Sequence, residues 1–328
     1  MVEAKHWTIL EAGRVRCELC PHHCTLSDEQ AGICLGRVNK NGKLYSTNYG
    51  QVVSAAVDPV EKKPLYHFFP GSVILSVGPN GCNFRCPYCQ NWEIAQQPAH
   101  TSFVIPQELV KNAGRDRSIG ISYTYAEPLI WYEYVLECSR LAKEAGLVNV
   151  LVTNGFIEET PLKELLPFVD ALNIDVKSIK EEFYRKLCKA SLAPVLRTCE
   201  MAKKVAHVEI TNLLIPGEND QKEDIAELVH WTASKLGKET PLHFSRYFPH
   251  YKFTVNPTPE STVFAAYEIG KKELFYCYIG NIYSKNGAAS YCPKCGNVLV
   301  ERAGYSVKIT GIREKKCSRC GRKADFVL

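Results

Sequence analysis

The sequence predicts an α/β protein: a partial (β/α)6 barrel, TIM-like in plan, of about six parallel strands, with a small cysteine-rich unit at each end. Three observations predict it. Apolar, β-rich runs alternate with segments of helical period from residue 72 to about 287. Polar residues able to do chemistry follow each run. Eleven of the 15 cysteines fall in three clusters, at 17/20/24/34, 82/86/89 and 292/295/317/320. Alternation of strand and helix over such a length is the pattern of a parallel sheet.

In chain order, residues 1–70 are cysteine-bearing, turn-rich and short of long periodic segments, and form the first expected unit. The stretch VDPVEKKPLYHFFPGS (57–72), crowded with proline and charge, is the expected boundary. Residues 71–287 are the barrel. Its strands are expected at Val73–Val77, Ile119–Tyr123, Val148–Val152, Ala171–Ile174, Val208–Ile215 and Leu242–Tyr247, with Leu274–Ile279 a seventh candidate. Between them, Pro128–Lys143 sets Leu129, Tyr132, Val135, Leu136 and Ser139 on one helical face, and Asp220–Leu236 repeats Ile225, Leu228, Val229 and Trp231. Residues 288–328 are the third unit.

The chain has 328 residues, 45% hydrophobic and 23% charged, with a net charge of +5. That composition is ordinary for a soluble globular protein. No apolar run is long enough to cross a bilayer, and the opening MVEAKHWTILEAGRVRC lacks a signal-peptide core, so the expected location is cytoplasmic and no membrane partner is expected. The mild charge gives nucleic acid no electrostatic claim. Clustered cysteines in such a chain favour metal over disulfides. The scattered Cys138, Cys188, Cys199 and Cys277 read as small core residues.

In parallel α/β folds the site gathers at the carboxyl ends of the strands. The first run leads into GPNGCNFRCPYCQNW (78–92), which carries Cys82, Cys86 and Cys89; the second into Thr124–Pro128, with Glu127; the third into Thr153-Asn154-Gly155. The fourth leads to Asp175 and Lys177, and the fifth to Pro216-Gly217. The sixth carries His243 and Arg246, expected to line a substrate pocket, Arg246 by holding a carboxylate or phosphate in its fork.

Three thiolates are one short of the four that ordinarily hold an iron–sulfur cubane. The shortfall leaves one iron open, and an open position marks a catalytic metal site. A zinc ion completed by a distant residue is the alternative. CNFRCPYC, with an aromatic residue just before the last cysteine, resembles the signature of the radical SAM superfamily. The resemblance implies a 4Fe–4S cluster on Cys82, Cys86 and Cys89 whose open iron is chelated by S-adenosylmethionine. Reductive cleavage then gives methionine and a 5′-deoxyadenosyl radical that abstracts hydrogen from a substrate. It also implies an electron donor such as a reduced flavodoxin or ferredoxin.

The likeness carries further. Glu127-Pro128 resembles the end of the family's Gly-Gly-Glu-Pro element, with Tyr125 and Ala126 in place of the glycines; Glu127 would hold the methionine amino group. Asn154 takes a strand-end position that faces the cofactor. NIDVKSIKEEFYRKL resembles the Asp-Leu-Lys region of glycyl-radical-enzyme activases, making Asp175 and Lys177 cofactor contacts. LLIPGEND resembles the adenine-side element, with Thr211 where some activases have arginine. Over nearly the whole chain, CELCPHHC, DPVEKKPLYHFFPGS, YTYAEPLIW, LLIPGEND, PLHFSRYFPHYK, IGNIY and CPKCG…CSRCG resemble the radical SAM enzymes of the AmmeMemoRadiSam system. Those are related to pyruvate formate-lyase activating enzymes and associated with Memo-like and AMMECR-like proteins. Two alternatives stay open: a glycyl-radical-enzyme activase, and a non-enzymatic zinc-rich scaffold or nucleic-acid binder.

The flanking clusters are metal sites on spacing. Cys292-x2-Cys295-Gly and Cys317-x2-Cys320-Gly, 21 residues apart, read as a zinc ribbon. The basic run REKKCSRCGRK (313–323) fits a docking face or a solvated surface. Cys17-x2-Cys20-x3-Cys24-x9-Cys34 supplies four thiolates for a structural zinc or an auxiliary iron–sulfur cluster, with His22 and His23 within it as substitutes.

Overall fold

The computed structural model describes residues 1–115, 117–282 and 287–328. Its centre is one eight-stranded sheet: β1 (Ser54–Pro59), β2 (Val73–Gly78), β3 (Gly120–Tyr123), β4 (Val148–Thr153), β5 (Ala171–Asp175), β6 (His207–Leu214), β7 (Leu242–Arg246) and β8 (Cys277–Gly280). The strands lie in sequence order from one edge to the other. β2 to β8 are all parallel, and β1 pairs antiparallel with β2. A helix fills each parallel crossover: α1 (Pro106–Ala113), α2 (Tyr132–Glu144), α3 (Glu159–Leu165), α4 (Ala193–Lys203), α5 (Lys222–Trp231) and α6 (Glu260–Gly270). None of the helices among the described residues is long and apolar enough to cross a membrane.

The expected strands match this order to within a few residues, and the seventh candidate is realised as β8. β3 is buried throughout, as is β5 up to Asp175. That is why these segments read as continuous apolar runs rather than alternating ones. Where alternation survives, it separates two faces. Leu172, Ile174, Val208, Ile210, Leu242 and Phe244 join the core that packs under the helices. Their neighbours Asn173, Asp175, Glu209, Thr211 and His243 sit on the other face, in register across β5, β6 and β7.

The expected boundary stretch 57–72 is packed: Ser54–Pro59 is the sheet's antiparallel edge strand, and Val60, Leu65 and Phe68 pack with Ile74, Val150 and Ala171. Pro59 closes this edge strand, a place where proline is tolerated. Its charges hid the burial, because Asp58 is paired with Lys63 at 2.7 Å and with Lys62 at 2.8 Å.

The amino-terminal residues form two small antiparallel sheets, Val2–Glu3/Lys43–Ser46/Arg37–Lys40 and Trp7–Ile9/Val15–Cys17/Thr25–Leu26. The carboxyl-terminal residues form another from Ser290–Tyr291, Val298–Ala303 and Ser306–Ile309. Of the segment IGNIY, Tyr283 lies outside the described residues.

Candidate active site

The loop after β2 carries Cys82, Cys86 and Cys89 at the carboxyl end of the first parallel strand. Gly81 has φ +105°, and a Cβ there would overlap the carbonyl oxygen of Cys34, so only glycine lets the loop pass. Among the described residues, three or more His, Cys, Asp or Glu ligand atoms gather within 4.8 Å only at Cys292, Cys295, Cys317 and Cys320. The three loop sulfurs therefore stand wider than one tetrahedral ion requires, since ligands about 2.3 Å from zinc sit roughly 3.8 Å apart. A donor set of thiols spaced beyond that limit fits a cluster, whose ligands stand on different irons.

Four strand ends converge on this loop. Asn154, after β4, places Nδ2 3.7 Å from the Cys82 sulfur and 2.8 Å from Asn83 Oδ1. Asn83 in turn donates to the Phe156 carbonyl at 2.8 Å. Lys177, after β5, reaches Asp175 at 3.1 Å. Burial works against its charge, but Asp175, Cys86 and Cys188 outweigh that and hold the ammonium above the ordinary lysine value. The Lys177 carbonyl is fixed by Asn212 at 3.2 Å and by Asn219 of LLIPGEND at 2.6 Å.

Glu127 is at the site but occupied. It caps the turn Pro128–Trp131: Oε1 accepts from Leu129 N at 3.0 Å and Thr153 Oγ1 at 2.6 Å, and Oε2 from Asn154 N at 2.8 Å. Three protein donors fill three of a carboxylate's roughly four acceptor positions. Burial lifts its carboxyl to about 7 against those bonds. It thus ties the ends of β3 and β4 together, and little of it is left to grip a ligand.

Tyr125 stands where the resemblance expects glycine, and its φ of +67° is a conformation that suits glycine. The side chain is anchored in return: its hydroxyl donates to Asp58 at 2.8 Å and Lys63 lies 4.8 Å from the ring centroid.

His243 and Arg246 part company. Three residues apart on one strand, they face opposite sides. Arg246 lines a cavity of about 330 Å³ with Tyr88, Gln90, Tyr247, His250 and Asn281, next to Cys89 in sequence. Its guanidinium is bonded to Glu260 at 2.9 Å and the Thr258 carbonyl at 2.8 Å. His243 does not line that cavity: it is buried, 2.7 Å from Glu209 Oε2, with its ring against Tyr66 and Tyr278.

Sequence reasoning missed two groups. Cys188 is buried beside the triad, its sulfur 3.6 Å from the Tyr88 hydroxyl. Its proximity is the chief reason the Cys86 thiol is drawn down to about 7. Asn83 was passed over as a loop residue. Neither had a spacing signal, because both act across more than 70 residues of chain.

At the carboxyl terminus, Cys292 and Cys320 sulfurs lie 3.6 Å apart, and Cys295 and Cys317 3.7 Å. Those spacings suit one tetrahedral ion. Gly296 and Gly321 take φ near +70°, and their N–H groups close the knuckles onto Cys292 and Cys317 carbonyls at 2.8 and 2.9 Å.

Comparison with known proteins agrees with the geometry. Residues 77–229 match the radical SAM superfamily. An uncharacterized protein of Methanocaldococcus jannaschii is 46% identical over 336 residues, covering all of both chains. A pyruvate formate-lyase-activating enzyme of Listeria monocytogenes is 28% identical over 162 residues, 45% of this chain and 64% of that one. In fold, a radical SAM methyltransferase of Sphaerobacter thermophilus superposes with TM-score 0.50 at 17% identity, covering 70% of this chain and 71% of that one. The three cysteines on the loop after the first parallel strand, and the parallel strands β3 to β6, lie within the segment, residues 77–229, that is similar to the radical SAM superfamily.

Proposed function

We propose that this chain is a radical SAM enzyme whose 4Fe–4S cluster is held by Cys82, Cys86 and Cys89, on a sheet rolled as a partial barrel. The observation that carries the reading is the set of three thiols, wider than one ion's ligand shell, facing Asn154 and Lys177 across the strand ends. When bound, the cluster and S-adenosylmethionine supply reductive cleavage of the sulfonium and a 5′-deoxyadenosyl radical able to take a hydrogen atom. The chain's own residues do the rest. Asn154 donates toward the Cys82 sulfur, and Cys188 and Tyr88, in contact with each other, stand beside Cys86. Lys177 holds a fixed positive charge beside Asp175, suited to a carboxylate end group, while Asp175 is free on its other oxygen to accept from an amine or ribose hydroxyl. Glu127 keeps β3 and β4 in register at the site. The cavity beside Arg246 and Tyr88 receives the hydrogen donor, a protein or small molecule.

A one-electron carrier such as a reduced flavodoxin or ferredoxin supplies the reductant. Zinc occupies Cys292, Cys295, Cys317 and Cys320. Membership of the AmmeMemoRadiSam system, with Memo-like and AMMECR-like partners, is supported by motifs spread from CELCPHHC to CSRCG. Activation of a glycyl-radical enzyme is the second reading, favoured by the similarity to pyruvate formate-lyase-activating enzyme and by Asp175-x-Lys177.

The test is anaerobic reconstitution followed by dithionite and S-adenosylmethionine. 5′-Deoxyadenosine is expected from the native chain and none from the variant with Cys82→Ala, Cys86→Ala and Cys89→Ala. Equal yield from the variant removes the reading. A stable radical signal on a glycyl-radical partner selects the second form of it.

A further inference from the structure

Four thiols are left without a role by the strand-end site: Cys17, Cys20, Cys24 and Cys34. Three are buried and Cys24 is half-buried. The histidines among them are used elsewhere. His22 Nε2 lies 2.7 Å from the Asn83 carbonyl, and the two ring nitrogens of His23 lie 2.8 and 3.1 Å from Glu18 and Glu158. Four thiols are the main donor set on this segment, and the Cys24 and Cys34 sulfurs each lie 3.9 Å from where a Cβ on Gly32 would stand, so they share one side of that turn.

Their spacing separates them from the carboxyl-terminal set. No three of these four sulfurs lie within 4.8 Å of one another, whereas all four of the other set do. A single tetrahedral ion would draw them to roughly 3.8 Å. A further feature points to an occupant. Arg37 is 1% exposed, lies near enough to Cys17 and Cys34 to feel both, and has an Nε–H with no acceptor. Arg37 pairs with Glu133 through Nη2 and donates Nη1 to the Lys5 carbonyl, which leaves the Nε–H over; iron–sulfur clusters on four thiolates accept such hydrogen bonds, and a buried N–H without an acceptor suits one.

We propose that Cys17, Cys20, Cys24 and Cys34 hold a second iron–sulfur cluster of more than one iron, set against the loop that carries Cys82. Both neighbours of Cys82 touch this segment: Gly81 is packed on the Cys34 carbonyl, and the Asn83 carbonyl meets His22. The two clusters are thus placed for magnetic contact. The assignment rests on these residues and not on the reaction proposed above.

The test uses the full chain carrying Cys82→Ala, Cys86→Ala and Cys89→Ala, reconstituted anaerobically with iron and sulfide. About two or four irons per chain with matching acid-labile sulfide are expected to remain, as for a cluster on four cysteines. Adding Cys20→Ser and Cys24→Ser should remove them. The native chain does not depend on those variants folding: it should hold sulfide beyond about four per chain. Its reduced electron-spin spectrum should show broadening that the triple variant lacks. A triple variant with no sulfide and a second zinc beyond the one at Cys292–Cys320 overturns the proposal. So does a native chain with about four sulfides and two zinc ions. 5′-Deoxyadenosine formed by such a chain would leave the proposed reaction standing while this inference fails; sulfide retained without that product would do the reverse.

Discussion

The two flanking sites use the same four thiols in different ways. At the carboxyl terminus a C-x2-C-G knuckle occurs twice, and each copy is closed by a glycine N–H on the first cysteine's carbonyl. Two copies facing each other bring four sulfurs to the spacing of one ion. At the amino terminus there is one C-x2-C, no knuckle glycine, and a fourth cysteine held on a separate turn by Gly32 N donating to Arg37 O at 2.8 Å. Cys17 ends a strand, Cys20 sits in a turn, and Cys34 is fixed from behind by Gly81. The lesson is that repetition of the local turn, more than the number of cysteines, sets how closely a thiol set gathers.

The largest way to break this comparison is to remove the ion from the repeated knuckles. The carboxyl-terminal unit buries Leu299 and Val300 with partly buried Val307, Ile312 and Phe326, too few for independent stability. Structural zinc contributes about 10–16 kcal/mol in comparable small units. Cys292→Ser with Cys317→Ser should therefore abolish hydrogen-exchange protection over 288–328, while β2 to β7 stay protected and iron content is unchanged. Protection that survives the double substitution would mean the sheet, not the ion, folds the unit.

Much of this was legible beforehand, for physical reasons. The parallel strands show because burial on both sides makes Gly120–Tyr123 and Ala171–Ile174 apolar throughout. The cysteine loop shows because its ligands come from one short segment. What did not show acts at a distance or in disguise. The stretch 57–72 looked like a boundary because of its prolines and charges, but those charges pair internally through Asp58 and Lys63. Glu127 looked like a ligand-binding carboxylate, and three of its acceptor positions are also taken by Leu129 N, Thr153 Oγ1 and Asn154 N, a tie between β3 and β4 that no spacing announces. His243 looked like a strand-end residue, but its partner Glu209 lies on the neighbouring strand. Cys188 carried no spacing signal at all.

A middle-sized effect sharpens the contrast through pH. Each flanking region is stapled by one histidine. His67 is fully enclosed: Nδ1 lies 2.7 Å from the Asp325 carbonyl, Nε2 lies 2.6 Å from the Tyr278 hydroxyl, and the ring stacks on Phe326 at 3.9 Å. Burial pushes it down to about 3. The native ring stays neutral while the unfolded one protonates below about 6.5, so this contribution is present above 6.5 and lost as pH falls toward 3. At pH 5 the loss is about 2 kcal/mol. At the amino terminus His22 is also lowered by burial, but it is only partly covered, and its single Nε2 bond to Asn83 survives protonation. Hydrogen exchange, corrected for intrinsic rate, should show protection of 288–328 falling more between pH 7 and 5 than that of residues 1–50. His67→Gln should flatten the difference. Equal loss at both ends, or the same loss in the variant, would refute it.

The smallest effect concerns the site between the two. Asn297 Nδ2 approaches the Cys317 sulfur at 3.8 Å much as Asn154 approaches Cys82 at 3.7 Å, so amide donation alone does not distinguish ion from cluster. Cys188 offers the distinction, because its buried thiol stands beside Cys86 and lowers it as a donor would. A donor to a thiolate stabilises the more negative, reduced state. Removing it by Cys188→Ala should leave the cluster bound and lower its potential. One such bond is worth about 1 kcal/mol, which for one electron is roughly 40 mV. Redox titration followed by electron-spin resonance measures the shift directly. A potential unchanged within a few millivolts would return Cys188 to the role its sequence context first gave it, a small side chain filling the core.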